Sequence, residues 1–350
     1  MASGLVGLGG CAAGGAGEAW ALRDRRVADP PAGVVALAAE TRTPAGGRAA
    51  AVPDVMSLEL RRRGGYLMAD AVVNGTDVGP MLLDTGASLG VIGRGVARRL
   101  DLPASGRGRT VGVGGFEDFD FVEVNDVTLV PPRRGARGAA APMTLPPAAS
   151  SRRAALDLRR FGSAIGSGLA GIVGFNELAG TPFTLDYAGR RLTTYRPSAF
   201  RPPAGAERFR LKRFRGLPLV RADIRTSRGP VGVWLLIDTG ADRALTLPDT
   251  LLTDHPRLAA TKFTGRTETL GVGGTVGSVQ TWLGRIRVFG RDLEGLPVSF
   301  EPPPPTLSGG PDGDHLGRVG HGLLRHLTLT FDAPRGWVYA KWDDAEGAGG

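Results

Sequence analysis

The chain has 350 residues and a formal net charge of +9, with 43 Lys and Arg against 34 Asp and Glu. Hydrophobic residues make up 42%, enough for a packed core, which excludes a globally disordered chain. The 55 Gly and 26 Pro favour short strands and frequent turns over long helices. The positive charge is almost all Arg, with Lys only at Lys212, Lys262 and Lys341. These arginines are scattered, without a basic helix or interleaved aromatics, so no nucleic-acid partner is expected.

Residues 1–55 are rich in Ala, Gly, Arg and Pro with no sustained period and read as a flexible leader. They contain the single cysteine, Cys11, which excludes a disulfide within the chain and any multi-thiolate metal site. Cys11 ends the small-residue run "GLGGC", which resembles a bacterial lipoprotein cleavage site, although only ten residues precede it and none is basic. A lipid on Cys11 is the one membrane link expected. It favours the cell envelope or periplasm over the cytoplasm. No run approaches the ~18 apolar residues of a transmembrane helix.

From Met56 the texture changes. "MSLELR" alternates, "YLMADAVVN" is strand-like, "NGTD" is a turn and "PMLLDTG" is a buried strand. The same order returns later as "RFRLKRF", "LPLVRADIR", "TSRG" and "VWLLIDTG". Three further blocks keep the order. "TVGVGGFEDFDFVEV" is followed by "TLGVGGTVGSVQTWL", "GIVGFNEL" by "GRVGHGLL", and "FTLDYAGRRLTTY" by "LTFDAPRGWVYAKW". Loop lengths differ while the order holds, as expected of an internal repeat. The chain thus divides into a first lobe over 56–200 and a second over 207–343, joined by "RPPAGAE", with a frayed acidic tail over 344–350. Short helices are expected after each acid, at "GRGVARRLDL" and "LPDTLLTDHP". The stretch 131–165 carries seven arginines and reads as a surface excursion from the first lobe.

Each copy's apolar strand stops at an acid, Asp84 in "LLDTGAS" and Asp238 in "LLIDTGAD". A carboxylate at the end of a buried strand is costly unless hydrogen-bonded or paired. Having two suggests that they pair with each other. On these motifs the chain resembles the aspartic peptidases, most of all a fused, single-chain form of the bacterial retropepsin-like subunit, over roughly Met56 to Trp342. The resemblance implies an all-β fold, two pseudo-symmetric acid-protease-like β-barrel lobes with a cleft between them. It implies that Asp84 and Asp238 share one proton, as the paired carboxyls of aspartic proteases do, and activate one water, with no metal or cofactor. Thr85 and Thr239 would cross-bond at the lobe interface. Gly86 and Gly240 would let the chain turn tightly beside the acids. Val113, Gly114 and Gly115 in one half, and Val272, Gly273 and Gly274 in the other, would form flaps over an extended peptide.

The chain departs from the two-lobed pepsin pattern in three ways. Neither flap carries a Tyr, Ala87 and Ala241 stand where pepsins have a hydroxyl, and both halves carry a GVGG block. The missing hydroxyls predict a mildly acidic optimum, on the order of pH 4–6. "GASLG", Gly86 to Gly90, also fits a hydrolase nucleophile elbow, but the β-rich repeat argues against that fold and the second copy, "GADRA", lacks the Ser. The four histidines show no metal-ligand spacing and read as surface or packing residues. The expected protein is a monomeric aspartic endopeptidase acting on polypeptides. The alternative is a catalytically silent module of the same fold that binds peptides.

Overall fold

A computed structural model describes residues 2–5, 53–112, 115–132, 141–165, 168–258, 265–271, 274–304, 307 and 310–343. Cys11 and the 344–350 tail lie outside these residues. The fold is all-β, with two similar lobes and a cleft between them, as expected. Among the described residues the strands form three sheets.

The first sheet holds the first lobe. Its order from one edge is 2–5, 104–112, 115–123, 152–156, 91–93, 171–174, 76–84, 66–73, 127–130 and 143–144, with 61–63 paired to 66–73. The second lobe repeats the arrangement in the order 212–214, 217–226, 229–237, 316–319, 245–248, 291–301, 274–288 and 265–271. In both lobes the acid-bearing strand is flanked by an antiparallel hairpin partner and a parallel strand. Met68 pairs with Leu82 as Leu219 pairs with Leu236. Ile172 pairs with Leu82 as Arg318 pairs with Leu236. The second lobe curls on itself where Asp223 and Ile224 meet Arg287 and Ile286.

This placement explains why the acid-bearing strands read as continuous apolar runs. Successive side chains point to opposite faces, and here both faces are covered. Met81 and Leu83 enter the main core, while Leu82 enters a second cluster with Tyr66, Met68, Phe119, Leu156 and Ile172. In the second lobe Leu235 and Ile237 enter the main core, and Leu236 a smaller cluster with Leu217, Leu219, Leu307 and Leu316.

The third sheet belongs to both lobes. Its order is Glu207–Arg210, Trp337–Trp342, Leu327–Asp332, Phe183–Asp186, Arg191–Tyr195 and Val55–Glu59. The lobes meet at its centre, where Phe183–Asp186 runs antiparallel to Leu327–Asp332 with Thr184 opposite Thr330. Their hydroxyls lie 2.7 Å apart, and Phe183 stacks on Phe331 at 4.7 Å.

The short helices after the acids form at Arg94–Arg99 and Thr250–Asp254. Two expectations need correction. The Arg-rich stretch is not wholly a surface excursion, because Arg152–Leu156 is an interior strand of the first sheet, between 115–123 and 91–93. Its charge is tolerated because Arg153, fully buried, is bonded on several sides: it donates to the carbonyls of Val91 and Ile172 at 3.1 Å and pairs with Glu177. Residues 2–5, read as part of a flexible leader, form a strand parallel to 104–112.

Candidate active site

The two Asp-Thr-Gly turns meet where the lobes abut. Asp84 closes the strand Thr76–Asp84 and Asp238 follows the strand Gly229–Ile237, its N–H bonded to the carbonyl of Val319 at 2.9 Å. Both acids are essentially closed from solvent, at 1% and 0% exposure.

The threonines hold this junction by a reciprocal exchange. Thr85 Oγ1 donates to the carbonyl of Ile237 at 2.6 Å and accepts from the N–H of Thr239 at 3.1 Å. Thr239 Oγ1 donates to the carbonyl of Leu83 at 2.8 Å and accepts from the N–H of Thr85 at 3.0 Å. Each hydroxyl therefore satisfies one buried donor and one buried acceptor from the opposite lobe. Both threonines lie where the lobes abut. The separation of the paired threonines, 154 residues, is the repeat offset at the acids.

The glycines do two things. The N–H of Gly86 donates to Asp84 Oδ1 at 2.8 Å, and that of Gly240 to Asp238 Oδ1 at 3.0 Å. Each also faces the opposite acid, so a Cβ on Gly86 would overlap the carboxylate of Asp238, and one on Gly240 that of Asp84. Only hydrogen leaves room for the two turns to close on each other. The second oxygen of each acid, Oδ2, is buried and takes no hydrogen bond from any other residue among those described.

This environment disfavours charge. Burial and then the charge of Asp238 push the Asp84 carboxyl well above its ordinary range. Burial pushes Asp238 up to about 6, offset partly by Arg318 and by hydrogen bonds from its own turn. Burial is the largest influence on both acids. Tyr187 is fully buried, its hydroxyl held above the usual tyrosine range by burial and by the charges of both carboxylates.

The two GVGG blocks fall on hairpins, one over Ala104–Gly112 and Gly115–Glu123, the other over Gly265–Gly271 and Gly274–Val288. Gly112 pairs with Gly115, and Gly271 with Gly274, at the closing turns. Gly115 and Gly274 have φ of 121° and 130°, left-handed values that favour glycine. Val113, Gly114, Val272 and Gly273 lie outside the described residues. Phe116 and Trp282, 58% and 56% exposed, are the exposed large aromatics of these two hairpins.

Three residues around the site, Tyr187, Arg318 and Glu301, were not anticipated as its neighbours, whereas His321 packs as its reading expected. Tyr187 sits in "LDYAG", where a hydrophobic strand end gives no hint of the acids nearby. Arg318 takes the place held by Ile172 in the first lobe, a mismatch visible when "GIVG" is set against "GRVG". Glu301, which pairs with Arg318 in the interior, carries no motif. His321 is a packing residue of the lobe interface, set edge-on against Tyr66 with ring centroids 4.7 Å apart.

No curated protein matches the chain at a significant level. Among solved structures, the basic 7S globulin from soybean is similar at 13% identity and a TM-score of 0.49, over 84% of this chain and 97% of that one. The family model described as aspartyl protease matches residues 69–142, the segment that contains the first Asp-Thr-Gly turn and the first glycine-tipped hairpin.

Proposed function

We propose that the protein is an aspartic endopeptidase that hydrolyses peptide bonds with a water held between Asp84 and Asp238. The observation that carries the reading is the pair itself: two buried carboxyls from opposite lobes, each oriented by its own glycine N–H and cross-locked by Thr85 and Thr239. Both are pushed toward the protonated form, so the pair keeps one proton into the mildly acidic range. The ionised member takes a proton from the water while the protonated member donates to the scissile carbonyl. The glycine-tipped hairpins act as flaps, and a single chain supplies both acids, so the active form is a monomer. A retropepsin-like character, with a flap in each half, follows the doubled GVGG blocks.

The alternative, a silent peptide-binding module, draws on the depth of the pair, at 1% and 0% exposure. A digest of a peptide library by wild type, Asp84→Asn and Asp238→Asn, with mass-spectrometric product detection, separates the two. The peptidase reading expects new termini from wild type and a loss of at least ~1000-fold in kcat/KM for each variant, since both roles serve one turnover. The binding module expects all three proteins to retain peptide and release no product.

A further inference from the structure

We propose that Arg318 makes the two acids inequivalent, holding the pair's single negative charge on Asp238 and leaving the shared proton on Asp84. The proposal deepens the peptidase reading and rests on it for the use made of that inequivalence.

The geometry starts from the repeat. In each lobe a short parallel strand lies beside the acid-bearing strand, Gly171–Gly174 in the first and Leu316–Val319 in the second. Ile172 stands across from Leu82, two residues before Asp84. Arg318 stands across from Leu236, two residues before Asp238. Side chains in register on neighbouring strands share a face, and residues two apart along a strand do as well. Arg318 is therefore on the same face as Asp238, at the position where the first lobe is apolar. Its side chain is 6% exposed, so its charge acts through protein rather than water.

The first lobe has a buried arginine too, but aims it elsewhere. Arg153 pairs with Glu177 and binds the backbone of Val91 and Ile172. It is not among the influences on Asp84, which are burial, Asp238 and the N–H groups of Gly86 and Gly240. Arg318 pairs with Glu301 through one end of its guanidinium, and Nη1 is buried with no hydrogen-bond partner among the described residues. Its charge reaches both Asp238 and Asp242, and after burial it is the strongest influence on Asp238. The other ionisable groups around Asp238 are Asp84, the Tyr187 hydroxyl and Asp242, with Arg243 beside Asp242 at 3.9 Å. Of the two cations, only Arg318 acts on Asp238 itself.

The roles follow. Asp238 removes a proton from the water as the oxygen attacks the carbonyl carbon, and Asp84 passes its proton to the carbonyl oxygen. The tetrahedral diol then collapses. The proton on Asp238 goes to the leaving nitrogen, a hydroxyl proton of the diol returns to Asp84, and the C–N bond breaks. The pair carries one negative charge throughout and returns to its starting form.

The test is a titration of aspartate carboxyls by carbon-13 NMR, with Asp84→Asn and Asp238→Asn used for assignment. It compares wild type, Glu301→Gln, which leaves the Arg318 charge uncompensated, and the double variant Arg318→Met with Glu301→Gln, which removes both charges. Expected are ionisation of Asp238 before Asp84 in wild type, a downward shift of that first step in Glu301→Gln, and an upward shift of about one pH unit, tenfold in the ionisation constant, in the double variant. Should the double variant not fold, the direction of the Glu301→Gln shift decides. Ionisation of Asp84 first in wild type, or shifts within about 0.3 unit in both variants, would overturn the proposal. The titration needs no turnover, so it stands or falls separately from the peptidase reading. If wild type cleaves peptides, the acid limb of kcat/KM against pH should move with the NMR values.

Discussion

Replacing Thr239 by Val tests the junction on which the site depends. Valine has nearly the shape of threonine and keeps the packing, so the change removes the hydroxyl and little else. Three bonds go: the donation to the carbonyl of Leu83 at 2.8 Å, the acceptance from the N–H of Thr85 at 3.0 Å and a longer one from the Thr85 hydroxyl at 3.4 Å. Thr85 and Thr239 are 1% and 0% exposed, so water cannot take over. A buried polar group left unpaired costs about 1–3 kcal/mol, and two are left here, giving about 2–6 kcal/mol. Because the two groups orient Asp84, activity should fall beyond what unfolding explains. Thr239→Ser keeps the hydroxyl and should cost under about 1.5 kcal/mol. The assay is urea unfolding at fixed pH for wild type, Val and Ser variants, with kcat/KM measured on the folded fraction. A Val variant within about 0.5 kcal/mol of wild type, or a Ser variant as damaged as Val, would refute the assignment of these bonds as the lock.

Two further outcomes are expected. Gly65 has φ of 93°, and a Cβ there would run into the His321 ring, so Gly65→Ala should lower the thermal midpoint by backbone strain and by forcing the lobes apart. Gly75→Ala, with φ of 75° and nothing near its Cβ, isolates the strain alone and should be milder. The second concerns pH. Asp84 and Asp238 have folded values raised above the ordinary 3.8, so between those values the folded protein holds protons that the unfolded chain has released. Their contribution to stability is thus fully present below 3.8; that of Asp238 is lost as pH rises through about 6, and that of Asp84 as pH rises through its own raised value. His321 acts in the opposite sense: burial lowers it from 6.5 to about 4, so its contribution is present above 6.5 and is lost as pH falls toward 4. Urea midpoints at pH 4, 5, 6 and 7 should fall less steeply with rising pH in Asp238→Asn than in wild type; an unchanged slope would show that the dyad does not carry it.

The two acids, their threonines and glycines, and the hairpins were legible because the pattern occurs twice. A lone Asp-Thr-Gly is an ordinary turn, whereas two at the ends of apolar strands ask to be paired. Arg153 was not legible, since an Arg-Arg pair in a Pro- and Ala-rich stretch looks solvent-facing. Its burial depends on Glu177 and on two carbonyls brought from distant segments. Tyr187 was hidden for a similar reason. It directly follows Phe183–Asp186, a strand of the sheet shared by both lobes, and no local period encodes that placement near the acids. Arg318 was in plain view as a break in the repeat, but a break acquires meaning only once Leu82 and Leu236 fix what stands beside each acid.

The sheet common to both lobes has a consequence for how such a chain can be divided. Neither half owns its floor. The first half ends its share of that sheet at Phe183–Asp186, and the second half begins its own at Leu327–Asp332, each strand completed by the other. Cut between the halves, at 201–206, and the first fragment exposes Phe183–Asp186 as an open edge flanked by a bare Phe183 face. An antiparallel edge of this kind is complementary to a copy of itself related by a twofold axis. The first fragment is then a ready-made half of a symmetric dimer, and the threonine at 184, which now meets Thr330, would meet its own twin. Fusion of two such halves removes the need to find a partner, and it frees the positions at 172 and 318 to become different residues.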